Sequence, residues 1–523
     1  MTYRMIARRD VLKLAASGGL ALLSGAGQRV WASNSSQEYP FSLGVASGDP
    51  WPDGFVLWTR LAPAPLEPHG GMKMSVVPVD WEIAADERFT RVVRAGVAEA
   101  RPELGHSVHV EAKGLNPGWR YWYRFRANGE LSPVGTARTA TPVGVGIDRL
   151  RIGVAGCQHY EEGWYTAYRH LGEVPDLDAI FHYGDYIYEG RARDCTQVQN
   201  CVRSHAGDEI YSLDDYRRRY AQYKLDPDLQ FAHAAAPFLV SYDDHEVDNN
   251  WYNECDQDGS PAEVFLLRRA AAMQAWYEHM PVRQAQHPTN GGLKMYRRFD
   301  YGDLLRVQVL DTRQYRHGGL IQTARPPAGC GLDSSGPVTM LGAQQEAWLE
   351  AGLSSSVRWN LLAQQVMVMP FTYPESRDAG RTNVDSWSGY AQARERLIAQ
   401  IAARDLKNVV IATGDVHQHH AGVVPVREGE LDGPAAATEF VCTSISSGGD
   451  GVEMSEAWKN MPADNPHCQL FDARRGYQVF DIGRDSWRTN VWTMDKVSAK
   501  GGRAALTTSF VVEHGRVALH RDS

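Results

Sequence analysis

The run His182-Tyr183-Gly184-Asp185-Tyr186-Ile187-Tyr188-Glu189 sets a carboxylate and a phenol three residues apart, just after the mostly apolar stretch Leu177 to Phe181. Such a stretch reads as a buried strand, so both side chains leave one strand-end loop and can meet one cation. A carboxylate is a hard ligand and can bridge two ions. A phenol titrates near ~10 and stays deprotonated near neutral pH only on a strong Lewis acid. The pair points to trivalent iron beside a second, harder ion.

Three further strand-like runs end in similar clusters. Leu150–Ala155 leads into Gly156-Cys157-Gln158, Phe238–Tyr242 into Asp243-Asp244-His245-Glu246, and Val409–Thr413 into Gly414-Asp415-Val416-His417. Open α/β sheets place their sites beyond the carboxyl ends of strands. Thiolate, phenolate and imidazole suit iron; carboxylates suit calcium, magnesium or manganese. Two ions about 4 Å apart clamp both oxygens of an in-line displacement at phosphorus and lower the pKa of bound water. Hydroxide then serves as the nucleophile, with no Ser or Cys required. The chain carries no Gly-x-Ser-x-Gly elbow and no Walker loop.

The elements that must position these residues alternate in type. From Leu150 onward, apolar strands (also Leu304–Leu310 and Asn360–Met369) alternate with the helical stretches Asp214–Tyr223, Ala262–His279, Ala343–Leu353 and Gln392–Asp405. That is the texture of an α/β domain. Glu38 to Thr141 reads instead as β, with runs such as Phe55–Arg60, Val77–Ile83, His106–Val110 and Tyr121–Phe125 between turn clusters. The Pro- and Gly-bearing stretch Thr141–Asp148 is the expected linker, and Arg325–Val338 a long loop.

With 523 residues, two domains at least are expected. Residues 1–32 read as a twin-arginine export signal: Arg8-Arg9-Asp10-Val11-Leu12-Lys13, a small and apolar run, then cleavage after Ala32. The domain reading is therefore 1–32 signal, 38–141 β-sandwich and 148–523 catalytic. After cleavage 49 Lys+Arg face 62 Asp+Glu, a net charge of −13. An acidic protein is a poor general binder of nucleic acid, and no stretch beyond the signal has the apolar length of a membrane span. The seven cysteines leave at least one unpaired within the chain. Cys157 is the candidate, Cys195 and Cys201 can close a small disulfide, and Cys255, Cys330, Cys442 and Cys468 can make two more.

These motifs resemble the PhoD-type alkaline phosphatases of the metallophosphoesterase superfamily. Further pieces carry the likeness: Gly44-Val45-Ala46-Ser47-Gly48-Asp49-Pro50, Val56-Leu57-Trp58-Thr59-Arg60-Leu61, Asp226-Pro227-Asp228-Leu229-Gln230 and Leu310-Asp311-Thr312-Arg313-Gln314-Tyr315-Arg316. The resemblance implies an α/β fold, a metallophosphoesterase-type β-sandwich flanked by helices, behind a small all-β domain of fibronectin or Ig type. It implies Fe3+ and Ca2+, with Mg2+ or Mn2+ as alternatives for the second ion. Cys157 takes the place of the superfamily's first Asp, Asp185 that of the bridging carboxylate, Tyr188 that of the iron phenolate, and His417 completes the iron shell. Asp244 and Asp415 stand where the superfamily has Asn and His, which favours a harder second ion. His245 corresponds to the histidine that protonates the leaving oxygen or holds the phosphoryl group.

Other residues are read with two outcomes open. Arg313 can grip a phosphate oxygen bidentately or close an internal salt bridge. Gln365 is a ligand or a strand-end amide. His419 and His420 support ligands or are solvated in a loop; Trp387 and Tyr390 line an entrance or pack; Arg217-Arg218-Arg219 attracts anions or is a solvated helix face. The function expected is a periplasmic or secreted alkaline phosphatase and phosphodiesterase, exported by the twin-arginine machinery and acting on phosphate mono- or diesters. A phospholipase D-like enzyme and a non-catalytic binding protein with a vestigial metal site are the alternatives.

Overall fold

The computed structural model describes residues 39–317, 338–374 and 383–522. The signal at 1–32, and all of the long loop at 325–338 except Val338, lie outside them.

The centre of the fold is two sheets packed face to face. One has ten strands, in the order His520–Asp522, Ala504–Glu513, Ser486–Met494, Gly476–Gly483, Arg149–Ala155, Ala179–His182, Phe238–Val240, Val45–Trp51, Gly54–Arg60, Ser107–Ala112. The other has seven: Arg297–Tyr301, Leu305–Val309, Trp359–Ala363, Val409–Thr413, Ala435–Val441, His419–Pro425, Cys468–Asp472. Ile152, Val154, Phe181 and Leu239 of the first share one continuous core with Val307, Leu361, Ala363, Val410, Ala412 and Phe440 of the second. The alternate residues Leu362, Val409, Ile411 and Val441 face a second core, shared with the helices Gly342–Gly352 and Ala391–Ala403 through Leu349, Leu397 and Ile401. Burial on both faces explains why these strands read as unbroken apolar runs. Their middle members pair in parallel: Arg149–Ala155 with Ala179–His182 and then Phe238–Val240, and Leu305–Val309 with Trp359–Ala363 and Val409–Thr413. Their carboxyl ends therefore gather at one edge of the sandwich.

The front segment builds a five-stranded sheet around Val77–Ala84 and Arg120–Ala127, which buries Val79, Ile83, Tyr121, Tyr123 and Phe125 against Phe55, Leu57, Val108 and Val110. Asn116 N–H donates to the Tyr121 hydroxyl (2.9 Å), tying the turn to the strand. Val45–Trp51 pairs in parallel with Phe238–Val240 at Gly48, so the front strands extend the ten-stranded sheet rather than standing apart.

Two expectations are corrected. The strand over Asn360–Met369 stops at Ala363, because the buried Glu439 carboxylate takes the N–H groups of Val368 and Met369 (2.8 and 2.6 Å) out of the ladder. Cys195 and Cys201 do form a disulfide and Cys255 is disulfide-bonded, but Cys442 and Cys468 are buried free thiols, as is Cys157. Among the described residues, no helix is long and apolar enough to cross a membrane.

Candidate metal centre

Three of the four strand ends place their candidate ligands by a sharp turn. Cys157, Asp185, Asp415 and His417 all have positive φ, at 50°, 55°, 69° and 56°. That conformation costs on the order of 1–2 kcal/mol for a residue with a Cβ, and four such residues in one place mark a site the rest of the fold holds in shape. Gly156 and Gly414 let two strand ends close on the Tyr183 ring; a Cβ at either would lie 2.3 or 2.1 Å from it. Cys157 N–H donates to Gly184 O and Gln158 N–H to Asp185 O, both at 3.0 Å, which locks the first two turns together. Glu246, at 1% exposure, accepts N–H groups from Asp185, Tyr186 and Asp243 (3.1, 2.5 and 2.9 Å) and ties in the third.

On one side, Cys157, Asp185 and His417 bring sulfur, oxygen and nitrogen within 4.8 Å of one another. Tyr188 joins them: its hydroxyl donates to Asp185 Oδ2 (2.8 Å) and lies 3.1 Å from His417 Nε2. Its ring is held between His159 and His245, with centroids at 4.3 and 4.0 Å. Ser447 Oγ is 2.7 Å from its oxygen. On the other side, Asp243, Asp244 and Asp415 form a second group within 4.8 Å. Asp185 also groups with Asp244 and His245, so one carboxylate belongs to both sides.

Without a cation the charges do not balance. Burial pushes the Cys157 thiol and the Tyr188 phenol well up, and Asp185 adds to both. Burial, with Asp244 beside it, raises Asp185 to about 7 despite His245, and burial with its carboxylate neighbours raises Asp243 to about 8 despite Arg313. Two buried oxygens, Asp185 Oδ1 and Asp243 Oδ2, have no hydrogen-bond partner. Orphaned carboxylate oxygens beside sulfur, phenol and imidazole donors on one side and carboxylates on the other fit a pair of metal cations. The remaining ligand group near the centre, His159, Glu161 and His205, is satisfied without one. His205 bonds Gly190 O and the Tyr223 hydroxyl (3.1 and 2.9 Å), and Glu161 takes the N–H groups of Arg193 and His205.

All seven sequence-predicted ligand and acid residues converge here, but Arg313 does not act as a free phosphate clamp. It is fully buried and its guanidinium is spent on carboxylates: Nε on Asp243 (2.5 Å), NH1 on both oxygens of Asp385 (2.9 and 2.8 Å) and NH2 on Asp415 (3.2 Å). Gln365 is a structural amide, its Oε1 accepting from Thr312 N and Oγ1 (3.1 and 2.6 Å). His419 and His420 are buried in a strand rather than solvated. Trp387 and Tyr390 are packed. The arginine run is no solvated face: Arg217 pairs with buried Glu278, and Arg219 braces the carbonyls of Tyr188 and Gly190.

Several partners escaped the sequence reading. Glu189 holds His245 Nδ1 at 2.7 Å. Burial opposes charge on that imidazole, but Glu189, Asp244 and Asp185 outweigh it and raise its pKa well above the ordinary value. Asp243 and Glu246 flank Asp244 and His245 in one motif, where residue type alone does not mark them. Asp385 and Ser447 come from distant loops and carry no local signal. His417, Asp415 and His245 keep 33%, 16% and 19% of their side chains exposed, whereas Cys157, Asp185 and Tyr188 are buried, so the centre opens to solvent on the His245–Asp415–His417 side.

Residues 152–491 match the family model "PhoD-like phosphatase", and residues 26–141 match "PhoD-like phosphatase, N-terminal domain". Alkaline phosphatase D of Bacillus subtilis (strain 168) is 43% identical over 509 residues, which is 97% of this chain and 86% of that protein. A solved structure of PhoD superposes with a TM-score of 0.87 at 43% identity, covering 94% of each chain. A purple acid phosphatase from yellow lupin seeds shares the fold, with a TM-score of 0.55 at 14% identity over 90% of this chain and 73% of that one. The ligand geometry and these matches lead to one conclusion: the chain belongs to the PhoD-like phosphatase family.

Proposed function

We propose that the protein is an alkaline phosphatase that hydrolyses phosphate mono- and diesters at this centre, with Fe3+ and Ca2+ as its ions. The observation that carries the reading is Asp185, which groups with Cys157 and His417 and also with Asp244, itself a member of the all-oxygen group Asp243, Asp244 and Asp415. When bound, the two ions supply Lewis acidity to water and positive charge to the phosphoryl oxygens. Cys157, Asp185, Tyr188 and His417 hold iron; Asp185, Asp243, Asp244 and Asp415 hold calcium. His245, partly exposed and with its pKa raised by Glu189 against the pull of burial, gives its proton to the leaving oxygen, and Glu189 keeps the ring in place. Arg313 holds Asp243 and Asp415 at fixed separation. The Arg8-Arg9 leader supports export of the folded, iron-loaded protein to the periplasm or beyond.

The test is a substrate panel on protein exported by its own leader. A phosphate monoester and a diester should both turn over at alkaline pH, the metal content should be about one iron per chain, and a tyrosinate charge-transfer band should vanish in Tyr188→Phe. Turnover of phosphatidylcholine alone would sink the phosphatase reading in favour of a lipid diesterase, and a colourless, iron-free, fully active protein would sink the iron.

His245→Gln should cost about 10²–10⁴-fold in kcat on an alkyl phosphate, the range for a general acid. On a nitrophenyl ester, whose leaving group needs no proton, it should cost far less. Equal losses on the two esters would show that His245 holds the phosphoryl group instead.

A further inference from the structure

Behind the His245–Glu189 pair lies a carboxylate cluster that the hydrolytic centre does not use. Glu209, Asp248 and Asp258 bring carboxylate oxygens within 4.8 Å of one another, the breadth of one calcium–oxygen shell with bonds of about 2.4 Å. Arg268 from the helix Ala262–His279 takes one oxygen from each of two of them, Asp248 Oδ1 at 3.1 Å and Glu209 Oε1 at 3.0 Å. Its Nε goes to the Tyr216 hydroxyl (3.1 Å). The second oxygen of Asp248 is unmatched: the residue is 2% exposed, and Oδ2 is buried with no hydrogen-bond partner. A buried acceptor left unpaired costs roughly 1–3 kcal/mol and calls for a ligand or an ion. Burial, with Glu189, Asp258 and Asp256 nearby, pushes Asp248 up to about 8 even with Arg268 beside it.

The loop that brings Asp258 is turned by the carboxylate of Asp256. Asp256 Oδ1 accepts the N–H groups of Gly259 and Ser260, both at 2.9 Å, and Gly259 takes a φ of +81°. The spacing Asp256-x-Asp258-Gly259 repeats the Asp-x-Asp-Gly portion of oxygen-ligand calcium loops. There is no sulfur or imidazole in the group, so a hard cation is favoured over a transition metal. Calcium tolerates ligands drawn from three separate segments, whereas magnesium demands a near-ideal octahedron.

We propose that Glu209, Asp248 and Asp258 form a calcium site separate from the hydrolytic centre, with water completing the shell. The ion ties the Asp244–Asn250 turn to the Asp256–Ser260 loop. That turn carries Asn249, whose N–H donates to Glu189 Oε1 at 2.9 Å, so the site braces the residue that orients His245.

Calcium binding to the iron-loaded protein tests this, by flow dialysis of the wild type and of Glu209→Gln/Asp258→Asn. Asp258 is exposed and Glu209 partly so, so the fold should survive, and an unchanged iron content checks the hydrolytic centre. The double variant should bind one calcium equivalent fewer, or bind it at least about ten-fold more weakly. Terbium emission sensitised by Tyr211, whose hydroxyl meets Glu209, should fall in the same variant. Equal stoichiometry and affinity in the two proteins overturns the site, as does a wild-type affinity weaker than about 1 mM, the limit for extracellular calcium modules.

Discussion

Asp185→Asn should lower kcat/KM on a phosphate monoester by on the order of 10³-fold or more, at least the loss seen when one preorganised electrostatic element is removed. The substitution keeps volume and removes charge. Because Asp185 serves the Cys157–His417 group and the Asp244–His245 group together, iron and calcium should be lost together. Asp244→Asn should release calcium and retain iron. The loss will not come from unfolding. In metal-free protein, burial and Asp244 raise the Asp185 carboxyl to about 7. A carboxyl raised in the folded state costs stability as pH climbs from its unfolded value near ~4 through that pKa. Above pH 7 the metal-free Asn variant should therefore be at least as stable as metal-free wild type. Full activity in Asp185→Asn would show that the ions the reaction needs do not depend on this carboxylate.

Arg313→Met should be the most destabilising single change at the centre, by about 3–5 kcal/mol in metal-free protein, because it strands buried carboxylates without their cation. Arg313 is 0% exposed and contacts Asp243, Asp385 and Asp415, and no water replaces a guanidinium there. Urea denaturation measures the loss. Calcium should restore part of it, since an ion that binds only the folded state stabilises by mass action and supplies charge to Asp243 and Asp415. It should not restore the Asp385–Arg316 side, where Asp385 Oδ1 meets Arg316 at 2.7 Å. An unchanged denaturation midpoint would show that those carboxylates fold protonated.

The strand ends were legible because parallel strands buried on both faces are unbroken apolar runs with polar residues only at their ends. Ala262–His279 was legible to the residue for a related reason, its uninterrupted helical pattern after Pro261. The run Asn360–Met369 misled because residues beyond Ala363 are as apolar as a strand but surround Glu439. The strands from His419 to Glu513 carry no clear signal of their own, since buried polar residues such as Glu439, Gln478 and Thr489 interrupt their apolar alternation.

What the sequence alone determined is which residues gather at the candidate centre, because each sits in a short motif at a strand end: Cys157, Asp185, Tyr188, Asp244, His245, Asp415 and His417. What only the tertiary structure decided is the state of each group. Arg313 reads the same in a chain whether it faces substrate or carboxylates; here burial and three acidic partners from distant segments make it a structural cation. Glu189 and Asp243 likewise gain their roles from neighbours dozens of residues away. The Asp185–Tyr188 pair points to a cation, and the orphaned oxygens of Asp185 and Asp243 supply the second reason, because a buried charge is tolerable only beside its opposite.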